Sequence, residues 1–528
     1  MKHIAFAAVA ACAAFAAVAD EKPFSVSDGG TAKGGKTHTL DGSPAVCESV
    51  AALSTGTPFA DGMVLQRGVA APVWGTASPG ETVTVEFAGQ SKSAKADAAG
   101  AWRTSLDPME ASCESRAMKV SCGGETETIK DVLVGEVWFA SGQSNMECPI
   151  WGASPRYRDG KGGMMVKSAR RPLVRFAKNP KRLGACPVLG WKAEWRDFTP
   201  ESFKDCFKKK TLSAVAFYFA LGLHDALGVP VGIVDSSVGG TNIDSWTPPC
   251  GYASHPALAD VAAYPTTDKW DKSMATAVVD AEYQQPSILW NGMVAAWAPF
   301  AIKGLIWYQG EHNAVHGDAA RYCEKMHALY DGWAKEFANP GLKLYFAQLA
   351  PFRINWFDLQ MAQAKFAAEE KNAAMAATCD IGNASDVHPN DKETVARRLL
   401  LHALRRDYGF ADVIDDSPAP KSWRVEGGRF TVSFSGAGSL YCYNADRSAP
   451  KGFEVAGADG KFVAAAVKNR MHNGSIGGKE LVVAADAVAA PKRLRYLGGA
   501  HCAGSIYATD SALPLAPFEI EAGDSPTR

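Results

Sequence analysis

The sequence lacks any apolar run long enough to span a membrane once its first residues are passed. No later segment approaches about 18 uninterrupted apolar residues, so no transmembrane helix is predicted. It also lacks charge of one sign. Lys and Arg number 55 against 56 Asp and Glu, a formal net charge of −1, with no basic stripe or polybasic tail. Attraction to nucleic acid or to anionic lipid therefore has no basis here. No C-x-x-C repeat and no Cys/His cluster at zinc spacing is present, so no structural metal is expected. No repeat of solenoid length occurs, which excludes a stacked-repeat architecture.

What is there reads as a globular chain with 47% hydrophobic and 21% charged residues. At roughly 150 residues per domain, 528 residues leave room for about three domains. Lys2 and His3 precede an Ala-rich apolar run, Ile4 to Val18, closed by Ala17-Val18-Ala19. That is the form of a secretory signal peptide over residues 1–19, and it predicts a secreted or periplasmic protein. Cleavage at Cys12, as in a lipoprotein, would leave a very short apolar region and is set aside. Twelve cysteines less Cys12 leave eleven, so at least one thiol stays free, and Cys113 and Cys122 flank a predicted hairpin where they are placed to pair.

Residues 20–57 are an exposed lead-in rich in Gly, Lys, Thr and Ser. Over 58–130 short alternating strands are separated by Pro-Gly and Ala-Gly turns, which predicts an antiparallel β domain. Over 131–410 apolar strands (132–140, 231–235, 302–308, 343–350, 373–379) alternate with amphipathic helices (213–227, 319–338, 359–372, 391–408). That alternation predicts an α/β domain with a parallel sheet flanked by helices. Asn390, with Glu393 three residues on, is the expected cap of the last helix. Residues 411–528 return to short strands, a second antiparallel β region.

In an open parallel sheet, reactive groups sit in loops beyond the C-terminal strand ends. Four such loops carry chemistry here: Ser141-Gly142-Gln143-Ser144-Asn145, Gly239-Gly240-Thr241, Gln309-Gly310-Glu311-His312-Asn313 and Asp386-Val387-His388-Pro389. This is a hydrolase inventory. Ser144 attacks, His388 takes its proton and Asp386 holds the imidazole tautomer. Backbone N–H groups at Ser144 and Gly240, with an amide from Gln309 or Asn313, receive the oxyanion. Trp246 is either a sugar-stacking platform or a buried structural Trp. Glu311 ties loops together by hydrogen bonds. His312 and His316, four apart, lack a third metal ligand and are assigned a loop or substrate-contact role.

The segments GQSNM, GGT, WYQGEHN and DVHP resemble the four blocks of the SGNH/GDSL hydrolase superfamily, most closely its sialate O-acetylesterase branch. DGMVLQR, VPVGIVDSSVGGTNIDSW and LPLAPFEIE extend that resemblance from about residue 58 to 520. It implies a serine esterase that removes O-acetyl groups from sugars with no metal or organic cofactor. The implied core is a three-layer α/β/α sandwich. By the same resemblance Ser144 matches the nucleophile, His388 the catalytic histidine, Gly239-Gly240 the glycine block, and Gln309 or Asn313 the third oxyanion donor, Gln309 being nearer the strand end. The chain departs from the superfamily's Asp-x-x-His, since position 385 is Ser385 and the acid is Asp386. Either Asp386 completes a triad, or a backbone carbonyl near Ser385 leaves a Ser–His dyad. The sugar stays open between sialic acid and acetylated xylan or another polysaccharide. A non-catalytic glycan-binding protein is the reading from another class, opposed by the presence of Ser144 and His388.

Overall fold

The computed structural model describes residues 53–150, 170–202, 212–263, 281–444, 449–472, 474–476, 478–499 and 504–523. The signal peptide predicted over 1–19 lies outside these residues, as does most of the lead-in. The functional loops hang from a seven-strand run within an 11-stranded sheet: β1 (Glu125–Gly142), β2 (Arg171–Lys178), β3 (Trp195–Phe198), β4 (Val231–Ser237), β5 (Gly304–Tyr308), β6 (Lys343–Ala347) and β7 (Ala373–Ala376). Their order is β3-β2-β4-β1-β5-β6-β7. All neighbours pair in parallel except β3 with β2, which is antiparallel. β1 is central, so the turn that ends it lies at the middle of the C-terminal edge.

β1 alternates as a strand buried on both sides must. Val137 and Phe139 enter one core, Trp138 and Ala140 the other. On the first side Phe139 meets Trp333 edge-to-face at 5.3 Å. Trp333 belongs to α2 (Ala319–Glu336), which packs with α3 (Phe357–Glu369). On the second side Trp138 meets Phe219 at 5.1 Å, and Phe219 lies in α1 (Ala214–Leu227), which packs on α4 (Lys392–Asp407). Helices thus cover both faces. A sheet so covered reads as near-continuous apolar runs, which is why its strands were legible.

Three local expectations are corrected. Asp391, not Asn390, caps α4: its Oδ1 accepts from the Thr394 N–H at 3.0 Å and its Oδ2 from the Thr394 hydroxyl at 2.8 Å. Thr394 thereby takes the place foreseen for Glu393. Cys113 and Cys122 do not flank a turn but stand near the two ends of one strand, Ser112–Cys122, and neither forms a disulfide. At about 3.3 Å per residue that strand separates them several times further than a disulfide spans. Strands 343–350 and 373–379 end at Ala347 and Ala376, where the chain turns out to the loops.

β1 also runs unbroken through position 130. Its first half pairs antiparallel with Ser112–Cys122 and its second half enters the parallel sheet. The C-terminal strands form a seven-stranded antiparallel sheet with its own core around Phe430, Val432, Leu494 and Tyr496.

At the end of β1, Gly142 has φ +134°, and a Cβ there would stand 2.2 Å from the Tyr308 carbonyl oxygen. Gly142→Ala should therefore destabilise the fold by about 2–6 kcal/mol, combining backbone strain and overpacking. Gly68→Ala, at φ +73° with nothing within 4 Å, should show the strain alone, roughly 1–2 kcal/mol. Urea midpoints of the two variants measure the difference.

Candidate active site

Gly142 lets the chain leave β1 abruptly. The Gln143 N–H then donates to the Tyr308 carbonyl at 3.0 Å, and Ser144 opens the short helix Ser144–Glu147. Among residues 141–146 Ser144 alone keeps partial exposure, its neighbours being buried. Ser144 Oγ stands 2.9 Å from His388 Nε2. On the other side of the ring, His388 Nδ1 stands 3.2 Å from Asp386 Oδ1, which also accepts the His388 N–H at 2.9 Å. One carboxylate oxygen therefore holds both the ring and the backbone of His388. Ser385 is turned elsewhere, its N–H and hydroxyl both donating to Asn383 Oδ1. Burial lowers the His388 pKa and Lys392 lowers it further, while Asp386 works against both.

The glycine loop approaches Ser144 closely. A Cβ on Gly239 would stand 3.3 Å from the Ser144 Cβ. The Gly239 N–H donates to Glu147 Oε2 at 2.6 Å, and Glu147 Oε1 pairs with Lys181 at 2.5 Å. Burial raises the Glu147 carboxyl, but Lys178 and Lys181 outweigh it and bring it below its ordinary value. The Gly240 carbonyl accepts from Gln284 Nε2 at 3.0 Å. The peptide joining Gly239 to Gly240 is thus bracketed by a held N–H and a held carbonyl. Gly240 itself has φ +76°, a conformation open to glycine. The Ser144 and Gly240 N–H groups make no hydrogen bond among the described residues.

The family model described as "Carbohydrate esterase, sialic acid-specific acetylesterase" matches residues 134–401. The chain belongs to this family of carbohydrate esterases. Human sialate O-acetylesterase is 28% identical over 404 residues, covering 68% of this chain and 72% of the relative. The mouse sialate O-acetylesterase is also 28% identical, over 410 residues. The crystal structure of a carbohydrate acetylesterase from Xanthomonas citri superposes with a TM-score of 0.75 at 31% identity, covering 89% of this chain and 99% of that one.

The two amides that the sequence offers as oxyanion donors are buried and hydrogen-bonded to neighbouring groups. Gln309 is 0% exposed, and its Nε2 faces three acceptors: Gln143 Oε1, the Thr241 carbonyl and Asn313 Oδ1, at 3.1, 3.1 and 2.7 Å. Asn313 donates one of its two Nδ2 hydrogens to Asp318 Oδ2 at 2.8 Å, and its Oδ1 accepts from the Ile243 N–H at 3.1 Å. Gln309 Nε2 thus has both hydrogens engaged, whereas Asn313 Nδ2 has one. Trp246 is 0% exposed, donates to Thr241 Oγ1 at 3.0 Å and packs on Trp307, so it is a core residue and not a sugar platform. His312 and His316 do face each other, rings stacked at 4.1 Å, and burial together with His316 brings His312 down to about 4. His312 is therefore neutral at neutral pH.

Sequence reasoning gave Glu311 the role of tying loops together but overlooked Gln143, Asn145 and Lys392. Gln143 Oε1 accepts from Gln309 Nε2, from the Gly310 N–H at 3.4 Å and from the His312 N–H at 3.2 Å. Asn145 Nδ2 donates to Glu311 Oε1 at 2.5 Å and to the Val387 carbonyl at 3.0 Å, while Asn145 Oδ1 accepts from Lys392. Burial raises the Glu311 carboxyl, with Asn145 and Lys392 opposing it. All these residues except Lys392 lie inside the blocks themselves, GQSNM and WYQGEHN. Their signal was motif membership, since nothing local shows what an amide will find across the sheet.

Trp246→Ala should cost about 3–5 kcal/mol of stability, as expected for emptying a buried aromatic site. KM for an acetylated sugar, measured well below the melting range, should be unchanged. A large rise in KM would instead make the side chain a substrate contact.

Proposed function

We propose that this carbohydrate esterase is a sialate O-acetylesterase, a secreted or periplasmic enzyme that hydrolyses O-acetyl esters on sialic acid through a Ser144 acetyl-enzyme. The linked contacts Ser144 Oγ–His388 Nε2 and His388 Nδ1–Asp386 Oδ1, at 2.9 and 3.2 Å, carry the mechanism. The family and the named activity of the human and mouse relatives support the substrate. The signal-peptide pattern over residues 1–19 supports the location. The reading also includes a three-layer α/β/α core of the SGNH type, bounded near residues 131 and 410 by the two β regions.

His388 Nε2 accepts the Ser144 proton as Oγ attacks the acetyl carbonyl carbon. The carbonyl electron pair moves to oxygen, and the Ser144 and Gly240 N–H groups receive the oxyanion. Two backbone donors held in place before reaction need little reorganisation in the transition state. The tetrahedral intermediate collapses as the C–O bond to the sugar breaks, and His388 returns the proton to the departing hydroxyl. Water then attacks the acetyl-enzyme, giving up its proton to His388, and acetate leaves with Ser144 restored. Asp386 is the triad acid, keeping Nδ1 protonated and Nε2 free to accept.

Acetate release from O-acetylated sialoglycan should exceed that from acetylated xylan, and Ser144→Ala should lose roughly a millionfold in kcat. Preference for xylan would move the substrate to plant polysaccharide, and release undiminished in Ser144→Ala would remove the mechanism. Asp386→Asn should lower kcat by up to about ten-thousandfold if the acid fixes the tautomer. A loss under tenfold would mean that His388 works as a dyad.

The base must be neutral to accept a proton, so kcat/KM should be flat at neutral pH and fall on acidification. Because burial lowers His388, the half-loss should lie below 6.5, the ordinary histidine value. Asp386 raises His388, so in Asp386→Asn the residual activity should hold to still lower pH. A half-loss above 6.5 in the wild type would contradict this electrostatic account.

A further inference from the structure

We propose that Cys323, His327 and Glu369 form a zinc(II) site between α2 and α3, apart from the esterase centre. Cys323 and His327 are four residues apart on α2, which puts them on one helix face. Glu369 is the last residue of α3. One oxygen of Glu369 meets both: Oε2 is 3.4 Å from Cys323 Sγ and 3.1 Å from His327 Nε2. The three ligand atoms all lie within 4.8 Å of one another.

Tetrahedral zinc binds sulfur at about 2.3 Å and nitrogen or oxygen at about 2.0–2.2 Å, which places neighbouring ligand atoms roughly 3.3–3.6 Å apart. The two spacings to Glu369 Oε2 lie within a few tenths of an ångström of this range, and the Cys323–His327 pair, within 4.8 Å, has at most about 1.2 Å to close. A thiolate, an imidazole and a carboxylate together suit a borderline-soft metal, not magnesium or calcium. The site is also braced: Phe366 packs edge-on against the His327 ring at 4.8 Å, and Lys365 stands 3.8 Å from the other Glu369 oxygen, Oε1. Cys323 is buried while the Glu369 side chain is 46% exposed, so a fourth position opens towards solvent for water. Burial and Glu369 push the Cys323 thiol up to about 12, so it holds its proton and donates to the carboxylate. Zinc forms the S–Zn bond as that proton leaves to solvent.

The other cluster of this type, His402, Asp415 and Asp416, already holds a cation, because Arg406 pairs with both aspartates at 2.6 Å. At Cys323 the described residues place no guanidinium, and the Lys365 ammonium stands 3.8 Å from Glu369 Oε1, leaving Oε2 to face Cys323 and His327. A zinc ion there would tie α3 to the helix whose Tyr322 hydroxyl donates to Gln309 Oε1 at 2.6 Å, and so would stiffen the support of the Gln309 loop.

The test is titration of chelator-treated full-length protein with zinc chloride, followed by calorimetry and by metal analysis after dialysis. One zinc per chain is expected, with thiolate-to-metal charge transfer when cobalt(II) replaces it. Loss of an outer-shell partner alone weakens zinc binding roughly 10–100-fold, so Cys323→Ser and Glu369→Gln should each weaken it at least that much. Glu369→Gln alters an exposed group and keeps the test valid if Cys323→Ser misfolds. Absence of stoichiometric zinc at micromolar concentrations would overturn the proposal. So would equal binding by both variants, which would place the ion at other groups such as His312 and His316.

Discussion

The carbonyl oxygen of the Gln143 side chain is the constraint on which the active site depends. It accepts from a side-chain amide and two backbone N–H groups, all on the loop that follows β5. Gln143 itself precedes Ser144 directly, so the nucleophile turn and the β5 loop cannot move independently. Such a hub is costly to break, because a buried donor without a partner loses the full hydrogen bond it had in water. Its buried setting also strengthens each bond through the low local dielectric.

Asn145, on the other side of Ser144, does the same for the histidine loop. Its amide joins Glu311 to the Val387 carbonyl, one residue before His388. Lys392, at the start of α4, completes a buried Glu–Asn–Lys chain and lies 5.2 Å over the Tyr308 ring. Ser144 is therefore flanked by two amide side chains that clamp its partner loops. The positive Lys392 has a second consequence, since it helps to keep His388 neutral and ready to accept a proton.

Backbone geometry completes the arrangement. Glu147 holds the Gly239 N–H, while Gln284 holds the Gly240 carbonyl. The Gly240 N–H between them makes no hydrogen bond among the described residues. Placing a carboxylate so near a developing oxyanion would oppose catalysis if its charge were bare. Lys181 at 2.5 Å and the nearby Lys178 offset it.

The succession of strands and loops was readable along the chain, because a doubly covered sheet writes apolar runs and its ends write Gly, Ser and Asn. For the same reason the sequence by itself placed Ser144, Gly240, Asp386 and His388 at one edge of one sheet. Tertiary structure decided which polar groups there are free. Gln309 and Asn313 carry the right chemistry for an oxyanion donor, yet acceptors from as far as 166 residues away engage both Gln309 hydrogens, and Asp318 takes one of Asn313's two. Trp246 looked equally able to stack on a sugar or fill a core, and only the surrounding Thr241, Trp307 and Trp333 settle it. Cys323 and His327 stand four apart on one helix, but Glu369 arrives from another, so no local spacing marks the three together. A residue type names what a side chain can do; hydrogen-bond saturation and burial, set by distant residues, decide what it does.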